Sequence, residues 1–273
     1  MEKIQTPFLK PAELALAARH EIIKMTSAAK ASHVASALSV VDILSTLYTG
    51  SANISPQKLS DPSRDIVILS KGHSASALYS VLALQGFFPV EWLSNYCKNN
   101  APLGGHVTYK GVPGVELSTG SLGHGLPYGL GIAMSRKKSG SLGRVFVVLS
   151  DGECDEGTIW ESAMIANHHN LDNLVVIVDR NKIQSLTFTE DTLKLEPFAE
   201  KWRAFGWETE EIAGHDYDLL KKSLSKQSAP KCIIADTTKG KGVNFMENSV
   251  LWHYKSPGAD DVAKAFEQLK ENY

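Results

Sequence analysis

A chain of 273 residues, 43% of them hydrophobic, can bury a sizeable core in one large domain or two small ones. Its 28 Lys and Arg nearly balance its 30 Asp and Glu, for a net charge of −2, and no basic run reaches the density of a nucleic-acid groove, which argues against that class of partner. Cys97, Cys154 and Cys232 show neither CxxC nor zinc spacing, so free thiols in a reducing cytoplasm fit better than a disulfide framework.

The first twenty residues lack the apolar centre of a signal peptide and carry Glu13 and Arg19. Apolar runs along the chain fall short of a membrane span, so no membrane partner is expected. Leu14, Ala18, Ile22 and Met25 recur at helical spacing and predict a helix over 11–29. Leu38, Val41, Leu44 and Leu47 predict a second over 36–48. Short β-rich runs then alternate with helical ones. Strands are expected over 65–69, 144–149, 174–178 and 231–235. Helices are expected over 73–85, 158–168 and 217–225, with a closing helix over 260–272. Neither an internal repeat nor a Pro/Gly/Ser linker divides the chain.

Apolar strands of about five residues imply burial on both faces, and helices between them imply a parallel sheet with right-handed crossovers. The expected fold is a doubly wound, mostly parallel α/β sheet flanked by helices. Its ligands belong at the carboxyl ends of the strands. The loops after Leu69, Leu149 and Val178 are therefore the places to look for chemistry.

Ser150-Asp151-Gly152-Glu153 follows one strand, and Asp179-Arg180-Asn181-Lys182 follows the next. The carboxylate of Asp151 and the amide oxygen of Asn181 are hard ligands suited to Mg²⁺, with Ca²⁺ or Mn²⁺ as alternatives. Gly152 lets a diphosphate approach the backbone, and a helix starting near Gly157 adds N–H groups and a positive dipole end. Asp-Gly after a strand also commonly does no more than start a helix. The separation of thirty residues, spanning one strand–helix–strand unit, favours the metal reading.

Nine histidines raise the question of zinc. His168 and His169 are adjacent on a helix, about 100° apart, and cannot share a metal. His33, His73, His106 and His253 sit at element boundaries among small residues, where each alone could be a capping or turn residue. Together they suggest a site that moves protons and binds hydroxyls, since no carboxylate or cysteine stands at zinc spacing with them.

These segments together resemble transketolase. Ser70-Lys71-Gly72-His73, the run from Pro113 to Gly123, the two metal loops, and the stretch from Thr237 through Asn248 to His253 carry the resemblance, which covers nearly the whole chain. Asp151-Gly152 followed by Asn181 resembles the diphosphate motif of thiamine-diphosphate enzymes, with Ser150 in place of its first glycine. The resemblance implies that Asp151, Asn181 and the carbonyl of Ile183 bind the metal. It implies that Gly152, Glu153 and His253 approach the diphosphate, while Gly120, Ser121 and Leu122 border the aromatic rings of thiamine diphosphate. His33, His73 and His106 would line the sugar site, with His73 also touching the cofactor and His253 also catalytic, and Glu156 would join an acidic network between two cofactor sites. The implied reaction moves a two-carbon ketol unit from a ketose to an aldose, with the cofactor as electron sink.

The implied architecture is one diphosphate-binding domain over 1–273. The pyrimidine-binding and C-terminal domains, with the activating glutamate, would lie on a separate chain in an assembly of two of each. Trp160 and Met164 are candidate interface residues, with core packing as the alternative. Four departures from the family pattern fall near the site: Ser32-His33-Val34-Ala35, His124, the segment from Gln184 to Thr189, and Tyr254 where glycine is usual after His253. They suggest either an unusual sugar or a repacked pocket. The rival readings are a deoxyxylulose-phosphate synthase half, one chain of a 2-oxoacid dehydrogenase, and a non-catalytic binding subunit.

Overall fold

The computed structural model describes residues 8–272, so the expectation for the first seven residues lies outside it. Helices α1 (Pro11–Ala28) and α2 (Val34–Thr46) precede strand β1 (Ile66–Leu69) and helix α3 (Ala75–Leu84). After a long loop come α4 (Gly125–Ser139), β2 (Val145–Ser150), α5 (Gly157–His168) and β3 (Leu174–Arg180). The chain continues through short α6 (Thr189–Thr192), α7 (Phe198–Ala204), β4 (Glu208–Ala213), α8 (Tyr217–Ser223), β5 (Lys231–Asp236) and α9 (Ala259–Asn272).

The five strands form one all-parallel sheet in the order β1-β2-β3-β5-β4. Alternate side chains of each inner strand enter opposite cores, as the period of two dictates. Val67, Phe146, Val148, Ile177 and Ile233 face the layer built on α1, α2, α3, α8 and α9. Ile68, Val147, Leu149, Val176 and Ile234 face the layer built on α4, α5 and α7. This is the doubly wound arrangement expected from the apolar runs.

α2 is the central helix of the first layer, and every one of its residues is buried. A helix apolar all round belongs inside a fold or a bilayer. The segment Val34–Ser51 is indeed long and apolar enough to span a membrane, contrary to the expectation that no run approaches that length. It lies 83% buried within the fold.

Besides the single-turn α6, three elements were not foreseen. β4 reads Glu-Thr-Glu-Glu-Ile-Ala and is largely solvated, because it is an edge strand and needs only one packed face. α4 carries three glycines, and a Cβ on Gly129 would lie 2.6 Å from Val147, so that glycine sets how closely helix and sheet approach. α7 is short, and it brings Trp202 fully into the core.

Candidate active site

The carboxyl ends of neighbouring strands meet around a cavity of about 330 Å³. β2 delivers Ser150 and Asp151, and β3 delivers Asn181 and Ile183. These strands are hydrogen-bonded neighbours, with Ser150 opposite Asp179. Asp151, Gly152, Asn181 and Ile183 all line one end of the cavity, so the sequence-predicted pair does converge.

Asp151 is buried, and its Oδ2 accepts from the Lys182 backbone N–H at 2.6 Å and from the Arg180 guanidinium at 3.3 Å. Burial pushes its carboxyl above the usual range, against the pull of Arg180. Asn181 Oδ1 accepts from Ile183 N at 3.2 Å, which fixes the amide so that its Nδ2 faces Ser39 and Asp179. Behind it, Asp179 forms a fully buried ion pair with Lys71 and accepts from Ser39 and Thr237. Burial would raise that carboxyl, but the Lys71 ammonium beside it holds it below the usual range.

The other end is lined by imidazoles. The His33 ring centroid lies 4.9 Å from His253, 5.2 Å from His73 and 6.0 Å from His106. His33 is the N-cap of α2 in a left-handed conformation, φ 71°, a region non-glycine residues rarely adopt. Its backbone N–H donates to the His253 carbonyl at 2.9 Å, which ties the start of α2 to the turn Val250–His253. Its Nδ1 is buried without a partner among the described residues. Such an atom is costly unless a ligand satisfies it.

Burial, then His106 and Lys239, lowers the His33 pKa to about 4. Burial and Lys239 lower that of His253 to about 3, and burial and Lys71 take His73 well below its ordinary value. These three imidazoles are neutral at pH 7. Each can therefore donate one hydrogen bond and accept another.

Lys239 connects the two ends. Its ammonium donates to the Ile183 carbonyl at 2.8 Å and meets His253 Nδ1 at 2.9 Å. Burial and the nearby Lys71 lower its pKa to about 7. Sequence reading missed this residue, because a lysine among glycines looks like a solvated loop charge. The signal available was its place in the stretch from Thr237 to Asn248. Gln184 and Tyr254 also line the cavity. A Cβ on Gly152 would lie 2.9 Å from the Gln184 side chain, so the glycine is needed for that close approach.

Other expected residues take different places. Gly120 and Leu122 line the wall beside His106, whereas the exposed Ser121 between them is not part of that lining. Glu153 is fully buried behind the cavity. Its carboxylate accepts from Ser70, from Gly123 N at 2.9 Å and from Ser150 N at 3.2 Å, so it braces three loops and does not face the pocket. Glu156 is exposed next to Gly123 and outside the cavity. His124 is likewise exposed, with its ring on the Leu122 carbonyl. Trp160 packs on Phe205 and Trp202, while Met164 is 52% exposed.

The donor set fits a hard divalent cation: a carboxylate, an amide oxygen and the Ile183 carbonyl at one end of one cavity. The fit extends to a diphosphate, since Gly152 leaves backbone open and Lys239 brings an ammonium to the same cavity.

Residues 12–272 match the family described as "Transketolase, thiamine diphosphate binding domain". The chain is 43% identical over 262 residues to one of the subunits of an apulose-4-phosphate transketolase from Actinobacillus succinogenes, covering 94% of this chain and 95% of that one. It is 37% identical over 225 residues to the 6-deoxy-6-sulfo-D-fructose transketolase subunit SqwG of Clostridium sp., covering 81% and 82%. Its fold superposes on the transketolase of Campylobacter jejuni with a TM-score of 0.86 at 29% identity, over 96% of this chain and 42% of that one. The chain thus spans about two fifths of that solved transketolase. On sequence match and site geometry together, it belongs to the transketolase family, as a thiamine diphosphate binding domain.

Proposed function

We propose that this chain is the diphosphate-binding half of a two-chain, Mg²⁺-dependent transketolase that uses a phosphorylated ketose. The observation that carries the reading is one cavity with hard oxygen ligands and a buried ammonium at one end and neutral histidines at the other. Relatives named as transketolase subunits, one of them matched over 95% of its length, support a partner chain. That partner would supply the pyrimidine-binding and C-terminal domains and the activating glutamate, in an assembly of two of each chain. Exposed Tyr128, Met164 and Ile165 on α4 and α5 are apolar surface suited to such an interface. A cytoplasmic location accords with the unpaired cysteines.

Asp151, Asn181 and the Ile183 carbonyl would hold the metal, and Gly152, Lys239 and His253 would receive the diphosphate. Bound there, thiamine diphosphate supplies an electron sink for cleavage of the ketose bond next to its carbonyl. The chain's own part is positioning and proton handling. His33, His73 and His106 present imidazoles to the sugar hydroxyls. A neutral imidazole can accept a hydroxyl proton as the bond breaks and return it as the aldose is taken up. The names of two relatives point to apulose 4-phosphate as the first donor to test.

The test is calorimetry on the chain copurified with its partner. Thiamine diphosphate should bind only with Mg²⁺ present, and Asp151→Ala should abolish binding while leaving circular dichroism unchanged. Equal cofactor affinity in that variant would remove the metal assignment.

A further inference from the structure

We infer that Tyr254 is a specificity-determining residue, whose ring walls the histidine end of the cavity and favours ketoses with a short chain beyond the transferred two carbons. This rests on the transketolase reading above. The Tyr254 ring lies 4.7 Å from the His253 ring and 5.7 Å from His33, and it lines the same cavity. It is 54% exposed, so one side packs on imidazoles and the other faces the opening. A sugar hydroxyl that satisfies the unpartnered Nδ1 of His33 must therefore come close to this ring.

The backbone that carries the ring is anchored on both sides along the chain. The turn Val250–His253 that precedes it is tied to His33 through the His253 carbonyl. Trp252, two residues before Tyr254, is buried. The next residue after Tyr254, Lys255, lies 4.1 Å over the Trp252 ring and pairs with Asp261 at 3.3 Å. A phenol that lines a cavity of about 330 Å³ removes room that the far end of a long phosphorylated sugar would need. A five-carbon donor would fit against the ring. A seven-carbon donor would have to displace it.

The experiment uses the complex of this chain with its partner, saturated with Mg²⁺ and thiamine diphosphate. The ratio of kcat/KM for sedoheptulose 7-phosphate to that for apulose 4-phosphate is measured with erythrose 4-phosphate as acceptor. Tyr254→Gly should raise the ratio by about tenfold or more, the scale on which pocket contacts discriminate substrates. Tyr254→Ala should raise it less, and Tyr254→Phe should leave it within about twofold. A ratio unchanged in both truncations, with cofactor affinity intact by calorimetry, would overturn the inference. Wild-type complex that binds the cofactor yet moves no two-carbon unit from either donor would overturn the transketolase reading and this inference with it.

Discussion

His33 shows how one residue can be fixed by the fold and left open to a ligand. Its backbone is committed: a left-handed N-cap whose N–H is bonded to the His253 carbonyl. Its side chain is half-buried among other imidazoles and near Lys239, and burial with these neighbours keeps it neutral. With a folded pKa of about 4 against an ordinary 6.5, its imidazole signals in a pH-titrated NMR series should stay flat from pH 8 to 5.5. A midpoint between pH 6 and 7 would mean the ring is solvated and the pocket more open than described. Asp151 and Asn181 were legible from sequence because each follows an apolar strand, and strands of a doubly wound sheet end on a common edge. Lys239 was not legible. Its burial arises from the loop after β5 folding back across β3, a contact between residues 56 apart.

At the level of elements, the inner strands announced themselves and the edge strand did not. β2 and β3 are buried throughout, so packing demanded continuous apolar runs. β4 has glutamates where an inner strand has valines, and Glu210 pairs with Lys231 of β5 at 2.9 Å, so its place in the sheet rests on backbone bonds and charge. α4 was hidden for a different reason: three glycines in fifteen residues weaken the helical signal, although one of them, Gly129, is what lets the helix sit close to β2. The end of β1 shows a similar dependence on a small residue. A Cβ on Gly72 would lie 2.3 Å from the Thr119 carbonyl oxygen, and backbone cannot swing aside as a side chain can. Gly72→Ala should therefore destabilise the chain by about 1–3 kcal/mol, read by urea unfolding. It should also weaken cofactor binding, because the displaced loop carries Gly120 and Leu122. A variant with wild-type stability would show that the two loops are not in contact.

Across the whole molecule, a buried polar junction holds the first helical layer to the end of the sheet. Arg19 of α1 pairs with Asp42 of α2 at 2.6 Å, and Asp42 also accepts from Tyr217 and meets His215, both at 2.6 Å. His215 Nε2 in turn accepts from Thr238 N at 2.8 Å, the residue before Lys239. Burial alone would raise the Asp42 carboxyl; the Arg19 guanidinium and the His215 bond reverse this and hold it well below the usual range. The folded value thus lies under the unfolded value of about 3.9. The unfolded chain takes up the proton first as pH falls, so the contribution is complete above about pH 5 and shrinks below it. Asp42→Asn should cost about 3–5 kcal/mol at pH 7, since it leaves Arg19 buried without its counter-charge. In guanidinium titrations the gap between variant and wild type should narrow between pH 5 and 3. A gap independent of pH would place the stabilisation in packing.

The Trp160 indole donates to the Cys154 carbonyl at 2.9 Å, and Cys154 sits in the turn Gly152–Asp155 that directly follows Asp151. The same ring is stacked on Phe205, so it cannot follow the turn without leaving its own neighbours. The indole thus couples the turn that follows Asp151 to the aromatic side chains of α7. Any shift of that turn on loading would therefore reach the ring cluster of Trp160, Trp202 and Trp207, and tryptophan emission should change when thiamine diphosphate and Mg²⁺ are titrated in.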